Sequence, residues 1–351
     1  MSQALRYVRP NRREWHEVAR PTIRDRRDAI VRPVASTTCD LDVRIIRGLT
    51  PFQGPFDIGH ECIAEVVEVG EGALCFQPGQ LVVVSWHFSC GACHRCARDL
   101  MNTCAYHPPG AMFGIPLAGE WGGLFSDLVR VPFAAATLLP LPAGLEPTHL
   151  ASLSDNIPLG YELTVPHLEF NAGADVLVVG GVGSVALFAV AFAKAAGAGR
   201  VVYLDADRAR LDIAAKLGAT VSDGPMPRSA GRYFITVDAS ASAEGLLGAI
   251  RATEPDGHCS SVGGQLGHAT MPMLGMPSQG VHFCTGRARG RPHFEDALAF
   301  VSAGRVHPEL ITTEVQPFEQ SHEVLREPSM KPILVRSTLL SDAFRPQVCA
   351  S

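Results

Sequence analysis

The fold class is decided by residues 174–207, ADVLVVGGVGSVALFAVAFAKAAGAGRVVYLDAD. The apolar run Val176–Val179 is typical of a strand that is buried on both faces, and the Ala-rich segment from Ser184 to about Gly197 has the composition of a buried helix. A glycine turn separates the two, and a second β-branched run, Val201–Leu204, follows the helix. This order predicts an α/β Rossmann fold, which is a doubly wound parallel sheet.

The glycine turn carries a dinucleotide-binding fingerprint. In Gly181-x-Gly183-x-x-Ala186, the first glycine permits a tight turn, the second lets the backbone approach a pyrophosphate, and the small third residue lets the helix pack on the strand. Asp205 ends the second strand, where an acid binds ribose hydroxyls and repels a 2′-phosphate. The sequence therefore favours NAD over NADP.

Later segments continue the same alternation, with predicted strands at Ile235–Asp238 and Cys259–Val262. We expect the nicotinamide ring beyond the ends of these strands, because ligands of such sheets bind there. Arg208 and Arg210 could hold a phosphate, but their pattern fits solvated positions on the following helix better. The candidate cofactor contacts are Gly181, Val182, Gly183, Ser184, Val185, Asp205, Val262 and Gly263.

Composition excludes several other classes of protein. The chain has 351 residues, enough for two domains, with 46% hydrophobic and 19% charged residues. Its formal charge of −5 offers no basic field for nucleic acid. The N-terminus has no apolar signal region, and the apolar run Val185–Ala193 is too short to span a bilayer. We expect a cytoplasmic protein with no membrane or nucleic-acid partner.

Four of the ten cysteines lie in one loop, CGACHRCARDLMNTC. Four thiolates at this spacing suit a tetrahedral zinc ion and leave no open position for a substrate. Two disulfides, or four separate thiols, are the alternatives, and an iron–sulfur cluster is disfavoured because Ala105, not proline, follows the last cysteine. The predicted ligands of this structural zinc are Cys90, Cys93, Cys96 and Cys104.

Three distant segments complete the pattern: TTCDLD with Cys39, GHE with His60, and LSDNIPLGYE with Asp155. Together with the four-cysteine loop and the glycine turn, they resemble the zinc-dependent medium-chain dehydrogenase/reductase family over residues 35 to 335. The form with Asp155 is similar to the formaldehyde-dehydrogenase-like branch. The resemblance implies a catalytic zinc on Cys39, His60 and Asp155, with an open fourth position for substrate.

The same resemblance implies roles for three further residues. Glu61 matches a carboxylate that can approach or bind the zinc, and Asp42 matches one that accepts a hydrogen bond from the zinc-binding histidine. Lys331 stands where the family has a basic residue near the cofactor phosphates. The implied reaction is hydride transfer between an alcohol, aldehyde or ketone and NAD(H), with two zinc ions per chain and a homodimer or homotetramer as the assembly.

One departure from the family pattern concerns proton transfer. Leu41 and Arg44 replace the usual hydroxyl and histidine relay, and leucine cannot pass a proton. A water chain, Asp40 or a substrate group would then take it. The alternatives are a reductase of conjugated or unusual carbonyls, a zinc-free reductase of the same superfamily, and a non-catalytic NAD-binding relative.

Motif order predicts the domain organisation. Residues 1–156 form a β-rich GroES-like catalytic domain, with the zinc lobe at about 86–110. Residues 157–288 form the Rossmann domain, and residues 289–351 return to the catalytic domain.

Overall fold

The computed structural model of the protein describes residues 1–224, 231–264 and 267–337. The chain divides into two compact units. The first contains Met1–Thr38, Asp42–Ser152 and the chain from Thr312 onward, and the second contains Cys39–Leu41 and Leu153–Ile311. Among the described residues, none of the helices has both the length and the apolar character needed to cross a membrane.

The first unit is built mainly of β-strands. Its N-terminal part contains strands β1 (Ser2–Arg9), β2 (Arg12–Val18), β3 (Ala29–Thr37), β4 (Phe56–Asp57), β5 (Glu61–Val69), β6 (Leu81–Val84), β7 (Val129–Val131) and β8 (Leu138–Pro140). The helices of this stretch are short: α1 (Asp40–Ile46), α2 (Ala134–Thr137) and α3 (Pro147–Leu150), with 3₁₀ turns at Cys96–Arg98, Met101–Thr103 and Ala151–Ser154. The first two residues of α1 and the last two of the turn at Ala151–Ser154 belong to the second unit.

The second unit alternates strands with helices. It contains α4 (Asn156–Glu162), α5 (Val165–Phe170), β9 (Val176–Val179), α6 (Val185–Ala195), β10 (Val201–Asp205), α7 (Arg208–Lys216), β11 (Thr220–Asp223), β12 (Tyr233–Asp238), α8 (Ala243–Ala252), β13 (Thr253–Ser261), α9 (Gly275–Ser278), β14 (His282–Thr285) and α10 (Phe294–Ser302), with 3₁₀ turns at Arg291–His293 and Pro308–Leu310. The chain then returns to the first unit through β15 (Glu314–Pro317), a 3₁₀ turn (Phe318–Gln320), α11 (Ser321–Val324) and β16 (Pro332–Val335).

Strand order confirms the predicted fold class. The second unit holds one six-stranded sheet of order β11-β10-β9-β12-β13-β14, in which every pairing is parallel. The first unit holds a three-stranded sheet, β2-β1-β4, and a seven-stranded sheet, β15-β16-β3-β5-β6-β8 with β7 paired to β3. Strand β9 lies at the centre of the parallel sheet and is buried along its whole length, as its unbroken apolar run requires.

The second unit extends past the boundary that motif order predicts at residue 288. Helix α10 packs inside it: the ring of Phe300 lies 5.5 Å from that of Phe192 on α6 and 5.8 Å from that of Tyr161 on α4. The return to the first unit therefore begins at Thr312 in the structure rather than at 289. No motif marks this segment, so the aromatic contacts that retain it are not visible in the sequence.

The close packing of α4 on α6 generates a stability prediction. A Cβ at Gly160 would lie 2.6 Å from Cβ of Phe188, in a fully buried contact. We expect Gly160→Ala to lower the free energy of unfolding by about 1–3 kcal/mol through overpacking. The measurement is the thermal and urea midpoint, with Gly286→Ala as control because a Cβ there meets nothing within 4 Å. Equal midpoints for the two variants would contradict the packing argument.

Candidate metal and cofactor sites

The four cysteines of the loop converge on one point. The ligand atoms of Cys90, Cys93, Cys96 and Cys104 all lie within 4.8 Å of one another. Sγ of Cys96 is 3.5 Å from Sγ of Cys93 and 3.9 Å from Sγ of Cys90. Tetrahedral Zn–S bonds of about 2.3 Å imply S···S separations of about 3.8 Å. All four thiols are free, so the geometry fits a tetrahedral metal ion and not two disulfides.

Backbone N–H groups support the sulfur atoms of this loop. The N–H of Cys90 and that of Tyr106 both donate to Sγ of Cys104, at 3.3 and 3.4 Å, and the N–H of Cys93 donates to Sγ of Cys90 at 3.3 Å. Hydrogen bonds from the N–H groups of Ala105 and Cys96 lower the pKa of Cys93 to about 5. Burial has the opposite effect on Cys96 and Cys104 and raises the pKa of both thiols. The N–H donors favour the thiolate form, which is the form that binds a metal, and at Cys93 they outweigh burial.

In the first unit, His60 and Asp42 lie side by side. Nδ1 of His60 is 3.3 Å from Oδ1 of Asp42, and each side chain is only 2% exposed. His60 precedes β5, and Asp42 lies in α1. The contact has the distance of an ion pair but not the geometry of a hydrogen bond. A carboxylate beside Nδ1 favours a proton on that nitrogen, which leaves the lone pair on Nε2.

Lys331 has partners other than those that the family resemblance implies. Its Nζ donates to Oε2 of Glu61 at 2.6 Å and to the carbonyl oxygen of Thr38 at 2.7 Å. The two charged side chains are 1% and 0% exposed. Within the first unit, the ammonium group therefore compensates a buried carboxylate, whereas the resemblance places it near cofactor phosphates.

In the second unit, Cys39 and Asp155 are both buried. Sγ of Cys39 accepts a hydrogen bond from the N–H of Leu41 at 3.2 Å. Asp155 occupies the position before α4, but its side chain does not form the capping hydrogen bond that would explain an acid there. Helix capping therefore does not explain why an aspartate occupies position 155.

The glycine turn lies between β9 and α6, as the fingerprint predicts. A Cβ at Gly181 would collide with the carbonyl oxygen of Ala239, and a Cβ at Gly183 would collide with the carboxylate of Asp40. Ser184 precedes the first residue of α6, and its hydroxyl accepts a hydrogen bond from Nδ2 of Asn156 at 2.8 Å. The close neighbour of Gly183 is therefore an acid that the motif does not reveal.

Other predicted cofactor residues surround the same end of the parallel sheet. Val182 is 41% exposed beside the turn, whereas Val185 starts α6 and is buried. The N–H of Val262 donates to the carbonyl oxygen of Asp238, and a Cβ at Gly263 would collide with the backbone of Ala241. Both Val262 and Gly263 directly follow β13, at its carboxyl end.

Asp205 and Arg210 form an ion pair that the sequence pattern does not predict. Nε and Nη2 of Arg210 lie 2.7 and 2.8 Å from the two oxygens of Asp205. Arg208, in contrast, is 82% exposed and pairs with Asp212, as expected for a solvated position. The interpretation of Arg210 as a solvated residue is wrong because its side chain folds back onto the end of β10.

Comparisons with known proteins agree with this architecture. The GroES-like domain model of alcohol dehydrogenases matches residues 25–143. An alcohol dehydrogenase of Cupriavidus necator is 28% identical over 335 residues, which cover 87% of this chain and 89% of the relative. The structure of alcohol dehydrogenase TADH from Thermus sp. ATN1 is 28% identical with a TM-score of 0.86, covering 95% of this chain and 99% of that chain.

A further relative is the glutathione-independent formaldehyde dehydrogenase of Pseudomonas aeruginosa, 32% identical over 233 residues, which are 62% of this chain. The match spans only 57% of that relative's length. A GroES-like domain together with a parallel Rossmann sheet is the architecture of the medium-chain dehydrogenases/reductases. Within that class, the chain is similar to zinc-type alcohol dehydrogenases in its GroES-like domain, in its sequence and in its fold.

The buried pair of Lys331 and Glu61 generates a prediction. Lys331→Met removes the ammonium group and leaves a buried carboxylate uncompensated, which costs about 3–5 kcal/mol of unfolding free energy. We expect the double variant Lys331→Met, Glu61→Gln to recover a large part of this loss, because no buried charge remains. Urea denaturation of the two variants and the parent protein gives the comparison. A double variant no more stable than Lys331→Met would show that the ion pair is not the cause.

Proposed function

We propose that the protein is a zinc-dependent oxidoreductase that transfers a hydride between an alcohol, aldehyde or ketone and a nicotinamide dinucleotide. The proposal assigns Cys39, His60 and Asp155 as ligands of a catalytic zinc, with Glu61 as a further candidate ligand. The observation that carries it is the donor set: all four side chains are buried and each offers one ligand atom. A thiolate, an imidazole and a carboxylate are ligands that suit zinc.

When bound, zinc would supply Lewis acidity toward the substrate oxygen, and the nicotinamide would take up or supply the hydride. The protein's own contribution is to hold and orient these partners. In this proposal, Asp42 lies 3.3 Å from Nδ1 of His60 and favours a proton there, which leaves Nε2 as the ligand nitrogen. Lys331 donates a hydrogen bond to Glu61 and places a positive charge beside its buried carboxylate.

Asp155 supports a finer assignment within the family. With an acid in place of a second thiolate, the proposed ligand set is the form similar to the formaldehyde-dehydrogenase-like branch, and a formaldehyde dehydrogenase is among the relatives of the chain. A reductase of conjugated carbonyls is the second candidate. Leu41 favours it, because the side chain cannot relay a proton and its N–H group donates to Sγ of Cys39.

The proposal extends to the assembly and to a second zinc. The sulfur geometry supports a structural zinc on Cys90, Cys93, Cys96 and Cys104. Those four, together with the proposed catalytic ligands, make two zinc ions per chain. A cytoplasmic homodimer or homotetramer remains part of the proposal.

Metal analysis combined with a substrate screen tests the function. We expect about two zinc ions per chain, about one after Cys104→Ser, and about one after His60→Asn, because each substitution opens one tetrahedral site. The exposed Cys75→Ser serves as control and should keep both ions. Turnover of alcohols, simple aldehydes and conjugated aldehydes is followed by NADH and NADPH absorbance.

His60→Asn should abolish this turnover, and Asp42→Asn should lower it about 10–100-fold by releasing the imidazole. Full activity of His60→Asn, or of the protein after zinc removal, would overturn the catalytic assignment. Turnover confined to conjugated aldehydes would favour the second candidate.

Asp40 provides a separate prediction about the cofactor. Its carboxylate lies against Gly183, at the helix end where a pyrophosphate is expected. Two like charges at this separation repel each other, so Asp40→Asn should tighten NADH binding about tenfold or more. Asp175→Asn, at an exposed acid paired with Arg200, is the control and should leave the Kd unchanged. Equal NADH affinity of Asp40→Asn and parent protein would place the pyrophosphate away from Gly183.

A further inference from the structure

Asp238 is a buried acid that two serines compensate in the described part of the chain. It is the last residue of β12 and is only 2% exposed. Its Oδ1 accepts hydrogen bonds from the hydroxyl of Ser240 at 2.6 Å and from the N–H of the same residue at 3.1 Å. Its Oδ2 accepts one from the hydroxyl of Ser261 at 2.8 Å. Because a buried carboxylate needs its hydrogen bonds, these contacts fix both serines in place.

The two serines belong to neighbouring strands of the parallel sheet. Ser261 is the last residue of β13, and Ser240 comes two residues after the end of β12. The carbonyl oxygen of Asp238 also accepts a hydrogen bond from the N–H of Val262 at 2.9 Å. The side chain and the backbone of one residue therefore join the carboxyl ends of the two strands. Ligands of such sheets bind beyond these ends.

The segment 239–241, directly after Asp238, lies between two glycine turns of the second unit. A Cβ at Gly181 would collide with the carbonyl oxygen of Ala239, and a Cβ at Gly263 would collide with the N–H group of Ala241. One short segment thus touches both the turn at which the pyrophosphate is expected and the loop at which the nicotinamide is expected. Any movement of this segment changes the spacing between those two turns.

Ala241 needs support to hold its conformation. Its φ is +56°, in the left-handed region that residues other than glycine seldom adopt. Ser240 and Ser242, on either side of it, are joined by a hydrogen bond of 3.2 Å from the N–H of Ser242 to the hydroxyl oxygen of Ser240, and the side chain of Ser242 caps α8. The contacts of Asp238 with Ser240 therefore hold one end of this strained turn, and α8 holds the other.

We propose that Asp238 is a positioning residue for the cofactor: through its two serine contacts it fixes the spacing between the turn at Gly181 and the loop at Gly263. This spacing sets the place of the nicotinamide ring relative to the pyrophosphate. Asp238 is buried and acts through Ser240 and Ser261 without touching the reacting atoms. The inference rests on the proposed binding of a nicotinamide dinucleotide, and it adds a residue that the glycine fingerprint does not include.

The test compares two ligands, NADH and ADP-ribose, which share the adenosine and the pyrophosphate, whereas only NADH has the nicotinamide. Their Kd values are measured by calorimetry on the zinc-loaded full chain. Ser261→Ala frees the loop at Gly263 but not the turn at Gly181. We expect it to weaken NADH about tenfold, because a hydrogen bond to a charged group is lost, and to leave ADP-ribose unchanged.

Two substitutions of Asp238 separate hydrogen bonding from simple loss of structure. Asp238→Ala should weaken NADH about tenfold or more relative to ADP-ribose, because both serine contacts are lost. Asp238→Asn should restore the Kd for NADH to within about threefold of the parent value, since an amide can still bond both hydroxyls. Ser278→Ala is the control: this exposed serine donates to the carbonyl oxygen of Gly275 at 3.0 Å, and its loss should change neither Kd.

Several results would overturn the inference. These are an equal loss of NADH and ADP-ribose affinity in Ser261→Ala and Asp238→Ala, an unchanged NADH affinity in both, an Asp238→Asn variant as weak as Asp238→Ala, or a parent protein that binds neither ligand. Ser261→Ala removes only one hydroxyl, so the comparison stands even if Asp238→Ala does not fold.

Failure of the proposed function is distinguishable from these outcomes. A ratio of the two Kd values that follows Asp238 and Ser261, in a chain that turns over no alcohol or carbonyl, would reject the oxidoreductase proposal. It would leave the positioning role of Asp238 standing.

Discussion

The second unit depends on three glycines, Gly180, Gly181 and Gly183, because neighbouring atoms occupy the space that a Cβ at each position would need. A Cβ at each position would collide with a different neighbour: Tyr203 and Asp205 at the first, the carbonyl of Ala239 at the second, and Asp40 at the third. The turn thus brings β9, β10 and the end of β12 into direct contact with one backbone segment. Its glycines serve close packing as much as ligand approach, so a cofactor motif is here also a packing motif.

Much of the fold could be predicted because its signals are local. The run Val176–Val179, the apolar helix α6 and the glycine turn are contiguous, and their order alone indicates a parallel sheet. The four-cysteine loop is equally local, and its sulfur atoms do converge. The end of the second unit at Ile311 could not be predicted, because α10 is retained there by contacts of Phe300 with residues more than a hundred positions earlier in the chain.

The sequence could not predict which side chains pair with the charged residues. Spacing identified Asp205 and the family resemblance identified Glu61, but Arg210 and Lys331 contact them through tertiary packing. Tyr203 is an intermediate case: its spacing of two residues from Asp205 places both on one face of β10, and that signal was available in the sequence. A motif identifies a charged residue. Whether a neighbouring side chain compensates that charge depends on tertiary packing, which the motif does not encode.

Local cancellation of charge explains how a chain with 19% charged residues can bury several of them. Glu61 is paired with Lys331, Asp28 with Arg130, and Asp205 with Arg210, each at 2.6–2.9 Å. A buried charge that lacks a partner lowers the free energy of unfolding by several kcal/mol. The acid and the base of each pair are therefore compatible with the fold only together.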